Sequence, residues 1–152
     1  MLVLLVPVAA IVALAQLRGA QDVVVVDPAP VFDQARAAAF PVDAPGPLAG
    51  WTSVSAVFHR TDAGAILRVG YVTPRGGQLQ LIESTEPVAD LLRRELGNKG
   101  EAETATVEGR SWQSYAVRGD ELALVFTASG RTLIVVGRAD LDELKMLVST
   151  LD

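Results

Sequence analysis

The sequence contains no cysteine. This absence excludes disulfide bonds, thiol catalysis, a cysteine-based zinc site and a lipid-modified cysteine. Histidine occurs once, so a Ser-His-Asp triad would have to use His59, and the nucleophile motif G-x-S-x-G is absent as well. We therefore expect no catalytic residues, no metal site and no cofactor. A hydrolase-type enzyme is the least favoured class of function.

Basic residues are also scarce. The chain has 13 lysines and arginines against 18 aspartates and glutamates, which gives a net charge of −5 at pH 7. An acidic surface repels the phosphate backbone of nucleic acids, so we expect no nucleic-acid partner. No cluster of basic side chains is present that could bind anionic lipid head groups.

Charge is missing altogether from the first 17 residues. A helix of about 17 residues is roughly 25 Å long, slightly short of the roughly 30 Å hydrocarbon core of a bilayer. The apolar run Leu2–Val12 and the following Ala13-Leu14-Ala15 also fit a cleavable signal peptide. Arg18, on the far side of the run, is disfavoured for an exported domain. We predict a transmembrane anchor or uncleaved signal over residues 1–17, with a cleaved signal peptide and a soluble protein as alternatives.

After a linker over residues 18–27, the pattern predicts one α+β domain over residues 28–152. Asp27-Pro28 is typical of a helix start, and Asp140-x-x-Glu143 has the spacing of a capping box. The predicted helices are 27–39, 87–96 and 140–151. The predicted strands are 51–60, 65–73, 78–84, 102–107, 111–117, 121–128 and 132–137.

The predicted strands indicate a single antiparallel sheet of about six to seven strands, preceded by the N-terminal transmembrane helix. Two of them, LALVF and LIVV, are apolar on both faces, which favours helices packed on both faces of the sheet. The short connections favour antiparallel neighbours. Leu79 and Leu81 also have counterparts in Leu133 and Val135 at an offset of 54, which indicates a duplicated β-β-β-α unit or a chance likeness between hairpins.

Three aromatic residues are the candidates for an interaction surface or a pocket, and the alternative is an aromatic core: Trp51, Trp112 and Tyr115. Two groups of acidic residues could be taken for metal ligands: Glu83, Glu86 and Asp90, and Asp140, Asp142 and Glu143. Carboxylates at a helix N-terminus interact favourably with the helix dipole. We therefore interpret both acidic groups as helix caps and solvated surface.

Four stretches of the chain carry a resemblance to a known family: FPVDAPGPLAGW, RVGYVTPRGGQLQLIES, GRSWQSY and LIVVGRADLDEL. Together with the apolar N-terminal run, they resemble a family of uncharacterised envelope proteins of actinobacteria, classed as a domain of unknown function. The resemblance implies a single membrane span with the domain outside the cytoplasm. The order of strands and helices is also loosely similar to that of PsbP/Mog1-like proteins, which bears on fold alone.

The sequence thus predicts a single-pass protein of the cell membrane with an extracytoplasmic domain. Its expected role is non-catalytic, either protein interaction or accessory work in the cell envelope, with an envelope protein as partner. The alternative is a small-molecule or lipid-binding module whose ligand the sequence does not identify.

Overall fold

The computed structural model describes residues 24–152. These residues form seven strands and three helices. The helices are α1 (Ala29–Ala37), α2 (Val88–Leu96) and α3 (Leu141–Ser149). The strands are β1 (Thr52–Thr61), β2 (Gly64–Val72), β3 (Gln78–Ser84), β4 (Glu103–Val107), β5 (Arg110–Ala116), β6 (Leu122–Ala128) and β7 (Arg131–Arg138).

All seven strands belong to one antiparallel sheet, in the order β1-β2-β3-β7-β6-β5-β4. The predicted fold class, α+β with a single antiparallel sheet, is therefore confirmed. The strand bounds agree with the sequence prediction to within a residue at each end, because glycine-rich and proline-containing turns separate the apolar runs. Gly76 and Gly130, for example, have φ of 79° and 75° in the turns before β3 and β7.

The first face of the sheet is covered by α1 and α3. Alternate strand residues point to this face and pack against both helices in one apolar cluster. The buried members of the cluster are Phe32, Ala35, Phe40, Leu67, Val69, Tyr71, Leu79, Leu81, Trp112, Leu124, Leu133, Val135, Leu144, Leu147, Val148 and Leu151.

The second face is covered by α2 and has a smaller cluster. Its buried members are Ile66, Ile82, Leu91, Leu96, Ala123, Val125 and Ile134. Helices on both faces explain why the central strands are apolar on both sides, as the sequence predicted.

The predicted duplication corresponds to a symmetry of strand order, with β3 and β7 adjacent at the centre. Leu81 and Val135, which the offset relates, are direct partners across the two strands. The helices depart from this symmetry, because α2 packs on the second face and α3 on the first. The duplication itself stays a prediction.

The predicted helix starts are present. The Asp27 carboxylate accepts a hydrogen bond from the Ala29 N–H at 3.0 Å, and the capping box of α3 forms between Asp140 and Glu143. The predicted anchor over residues 1–17 lies outside the described residues. Within residues 24–152, none of the helices has the length and apolarity needed to cross a bilayer.

Candidate functional site

The three candidate aromatic residues do not come together. Trp112 is fully buried in the cluster of the first face, with its ring centroid 5.3 Å from that of Phe126. Tyr115, three residues further along β5, packs against the cluster of the second face. Trp51 is half-buried at the edge of the first cluster and meets Tyr71 edge-on, with ring centroids 6.2 Å apart. A single pocket lined by all three residues is therefore wrong, and for Trp112 the alternative of a core aromatic is confirmed.

Trp51 does line an opening of its own, here called the Trp51 crevice. The crevice has a volume of about 170 Å³, and its apolar walls are Ala49, Trp51, Pro74 and the side chain of Met146. Met146 is 51% exposed, which is unusual for a large apolar side chain in this domain. This volume accommodates roughly one large side chain and excludes a drug-sized ligand, which needs about 300 Å³ or more.

Three segments meet at this end of the sheet to build the crevice. Gly50 turns the chain into β1 with φ of 79°, and a Cβ at this position would lie 3.0 Å from the Cγ atom of Pro74 in the β2–β3 turn. The first half of α3 supplies the opposite wall. The exposed acid of the rim is Asp142, whereas Glu143 also lines the crevice but is buried in the capping box. The Arg75 guanidinium lines the rim too and is paired with Asp140 at 2.9 Å.

Three of the acidic residues interpreted as caps and solvated surface are buried. Glu143 forms the predicted cap, whereas the burial of Glu83 and Glu86 corrects the prediction of solvated surface. Glu83 is 1% exposed and Glu86 is 6% exposed, whereas Asp90 is exposed and pairs with Arg93. Glu83 belongs to the same side of β3 as Leu81, so strand alternation places it in the apolar first face. The three carboxylates therefore do not converge on one site.

The hydrogen bond to the Glu83 carboxyl group comes from a backbone N–H. Its Oε2 atom accepts a hydrogen bond from the Asp43 N–H at 3.0 Å, and its Oε1 atom has no hydrogen-bond partner among the described residues. Burial raises the pKa of Glu83 to about 8, and the nearby Asp43 carboxylate adds to this effect, while the Asp43 N–H, Arg131 and Arg36 oppose it. A carboxyl group in these surroundings is protonated at neutral pH.

The neighbouring arginines form ion pairs with Asp43 and not with Glu83. The Asp43 Oδ2 atom accepts hydrogen bonds from Arg131 at 2.6 Å and from Arg110 at 3.3 Å. Sequence analysis did not single out Asp43, although it is the only charged residue in the proline-rich stretch FPVDAPGPLAGW.

Glu86 belongs to a different network, beside α2. It accepts hydrogen bonds from Arg94 and, at 2.7 Å, from the Thr61 hydroxyl. The hydrogen bond from Arg94 lowers the pKa of Glu86. Glu86 is therefore ionised in a structural ion pair.

The other residues considered for a catalytic or metal site are a surface histidine and the residues of a helix cap. His59 is exposed on β1, opposite Ile66 in the register. Asp140 and Glu143 form the predicted capping box, in which the Glu143 carboxylate accepts a hydrogen bond from the Asp140 N–H at 3.2 Å. Within residues 24–152, no group of three His, Asp or Glu side chains is arranged to hold a metal ion.

The family comparison confirms one part of the resemblance, that the chain is a domain of unknown function. Residues 1–151 match the family described as "Protein of unknown function (DUF4245)". The chain belongs to the DUF4245 family. No curated protein has a significant match to this DUF4245 chain.

Proposed function

We propose that this DUF4245 protein is a membrane-anchored domain outside the cytoplasm that binds a partner protein of the cell envelope without catalysing a reaction. Residues 1–17 serve as the anchor, and the α+β domain presents the Trp51 crevice to the partner. The uncharged N-terminal run supports the anchor, and the exposed apolar wall of the crevice supports the docking role.

The observation that carries the docking role is that Trp51 and the exposed Met146 line the same small opening. Aromatic and methionine side chains are enriched where proteins bind one another, and binding energy concentrates in small pockets that take one anchoring side chain. The Trp51 crevice has these features, because its base is apolar and its volume of about 170 Å³ matches one large side chain.

The exposed Asp142 carboxylate at the rim defines the partner further. Arg75, which also lines the crevice, is already paired with Asp140. Complementary charge steers association and disfavours wrong partners. The partner segment is therefore an apolar side chain with a lysine or arginine next to it.

Changing Met146 to glutamate is expected to abolish partner binding without unfolding the domain. The side chain is half exposed, and a glutamate there adds a negative charge to an apolar wall that the Asp142 carboxylate already borders. A matched control is Val57→Glu, because Val57 is an apolar residue of equal exposure, at 50%, on β1. Binding is measured by cross-linking in intact cells of the native host, through a photo-reactive residue placed at Lys145.

The expected result is a discrete cross-linked partner with the wild-type protein and with Val57→Glu, and its loss with Met146→Glu. Loss with both variants, or with neither, contradicts docking at the Trp51 crevice. Circular dichroism of the three proteins checks that each remains folded.

The second candidate function is small-molecule or lipid binding, and a groove on the second face favours it. The groove has a volume of about 440 Å³ and lies where α2 leaves the sheet uncovered, with Val54, Gly70, Val136 and Gln80 among its lining residues. Native mass spectrometry of the protein purified from its own host distinguishes the two functions. A retained small molecule favours the second candidate, and a retained protein favours the first.

A further inference from the structure

The segment Phe40–Gly50, here called the strap, connects α1 to β1 across the first face. At its C-terminal side, the Gly46 N–H donates a hydrogen bond to the Thr150 carbonyl at 2.9 Å. Nearer its N-terminal end, the Asp43 N–H donates a hydrogen bond to Glu83, and the Asp43 carboxylate accepts one from Arg131. The strap is flanked by two left-handed residues, with φ of 59° at Ala39 and 79° at Gly50.

Glu83 lies beneath the strap, and the arginine hydrogen bonds in this area go to the Asp43 carboxylate and to the Pro41 carbonyl, which accepts one from Arg131 at 3.3 Å. The single hydrogen bond to Glu83 comes from the Asp43 N–H, and the Oε1 atom is left without a partner among the described residues. The groups that act on Glu83 are Asp43 from the strap, Arg131 from β7, Arg36 from α1 and Tyr71 from β2. Among residues 24–152, no cation forms a hydrogen bond or ion pair with Glu83, so a negative charge there is neither paired nor solvated.

Ionisation of Glu83 is therefore costly as long as the strap is closed. The side chain is 1% exposed, and the largest effect of a neighbouring charge on its pKa comes from another carboxylate, Asp43. Hydration removes the free-energy cost of a buried, unpaired charge, and water reaches Glu83 when the strap moves away. The left-handed residues at the two ends are the points at which the backbone direction changes.

We propose that the strap is a pH-sensitive lid, held closed by the proton on Glu83 and released when that proton is lost. The opened state exposes the part of the first face around Glu83 and Phe40. Ala49 and Trp51, at the end of the strap, line the Trp51 crevice, so opening also reshapes the docking site. That last consequence rests on the proposed function, whereas the opening itself does not.

The proposal predicts a specific pH profile. Burial raises the pKa of Glu83 to about 8 in the closed state, and an opened strap returns it toward the ordinary value of 4.5. Between these two values the open state binds fewer protons, so the opening constant rises with pH by about tenfold per pH unit. Above about pH 8 both states are ionised and the opening constant becomes level.

Hydrogen exchange of the full chain, followed by mass spectrometry from pH 5 to pH 9.5, tests this proposal. After correction for intrinsic exchange rates, protection of the Asp43 and Gly46 amides, which both donate hydrogen bonds in the closed strap, is expected to fall and then level off near pH 8. Glu83→Gln, which cannot ionise, is expected to remove this dependence. Asp90→Asn is the matched control, because Asp90 is an exposed acid on α2, on the opposite face of the sheet from the strap, and it should leave the wild-type profile unchanged.

Amides of β7 provide the internal reference. Equal protection of strap and β7 amides at every pH indicates unfolding of the whole domain and overturns the proposal. A flat strap profile in the wild type, or the wild-type slope in Glu83→Gln, overturns it too. If Glu83→Gln does not fold, NMR titration of the Glu83 carboxyl carbon in the wild type decides: the proposal requires its midpoint to coincide with the levelling of strap exchange.

Discussion

Changing Trp112 to alanine is expected to lower the free energy of unfolding by about 3–5 kcal/mol, the cost of deleting a buried large aromatic side chain. Trp112 lies on β5 and is fully buried in the cluster of the first face, where its ring packs against that of Phe126. A domain of this size has only about 5–15 kcal/mol to lose. The variant should therefore be severely destabilised.

The control for this variant is Arg118→Ala, in the exposed turn between β5 and β6. It should change the free energy of unfolding by no more than about 0.5 kcal/mol. Urea unfolding of both variants and the wild type measures the difference. Equal, small losses in the two variants would mean that the indole is not part of the core.

The stability of the wild-type domain is expected to fall as pH rises from about 5 to 8. The folded pKa of Glu83 is raised from 4.5 to about 8, mainly by burial. Such a group stabilises the fold fully below its unfolded pKa, and this contribution is lost as the pH rises to the folded pKa. The shift corresponds to a loss of a few kcal/mol, since each pKa unit is worth about 1.4 kcal/mol.

Two other carboxylates act in the opposite direction at acidic pH. The hydrogen bond from Arg94 lowers the pKa of Glu86, and for Glu95 the bonds and charge of Arg68 outweigh the effect of burial and leave the pKa lowered. Their stabilising contribution is present above the unfolded pKa and is lost as pH falls below it. Maximum stability is therefore expected near pH 5.

Glu83→Gln separates these effects. It should remove the alkaline fall, so that the variant is more stable than the wild type at pH 9, while the acid limb stays unchanged. Urea midpoints measured from pH 3 to pH 9.5 give both limbs. A wild-type profile that is level between pH 5 and 8, or a variant that keeps the fall, would contradict the assignment of the alkaline limb to Glu83.

The strands were predictable because local signals bound them. Gln78–Ser84, for example, lies between the Gly76-Gly77 turn and the helix that begins after Pro87, and its predicted and observed bounds are the same. The antiparallel arrangement followed from short connections. The choice of face for each helix was not predictable, because α2 and α3 both follow a strand and both have an apolar stripe, yet they pack on opposite faces.

The predictions about the site were wrong or incomplete for two different reasons. Trp112 and Tyr115 are three residues apart on one strand, so strand alternation alone places them on opposite faces. The same alternation puts Glu83 on the face of Leu79 and Leu81, a signal of burial that the interpretation as a helix cap overlooked. The contact between Glu83 and Asp43, by contrast, joins residues 40 positions apart and arises only from tertiary packing.

The placement of the domain outside the cytoplasm is tested most directly by labelling a single introduced cysteine. The sequence has no cysteine, so Ala63→Cys, in the exposed β1–β2 turn, provides a unique thiol. Intact cells of the native host are treated with a membrane-impermeant maleimide and then fractionated. The account predicts that the protein is labelled in intact cells and sediments with the membranes; labelling that appears only after the cells are permeabilised would contradict it.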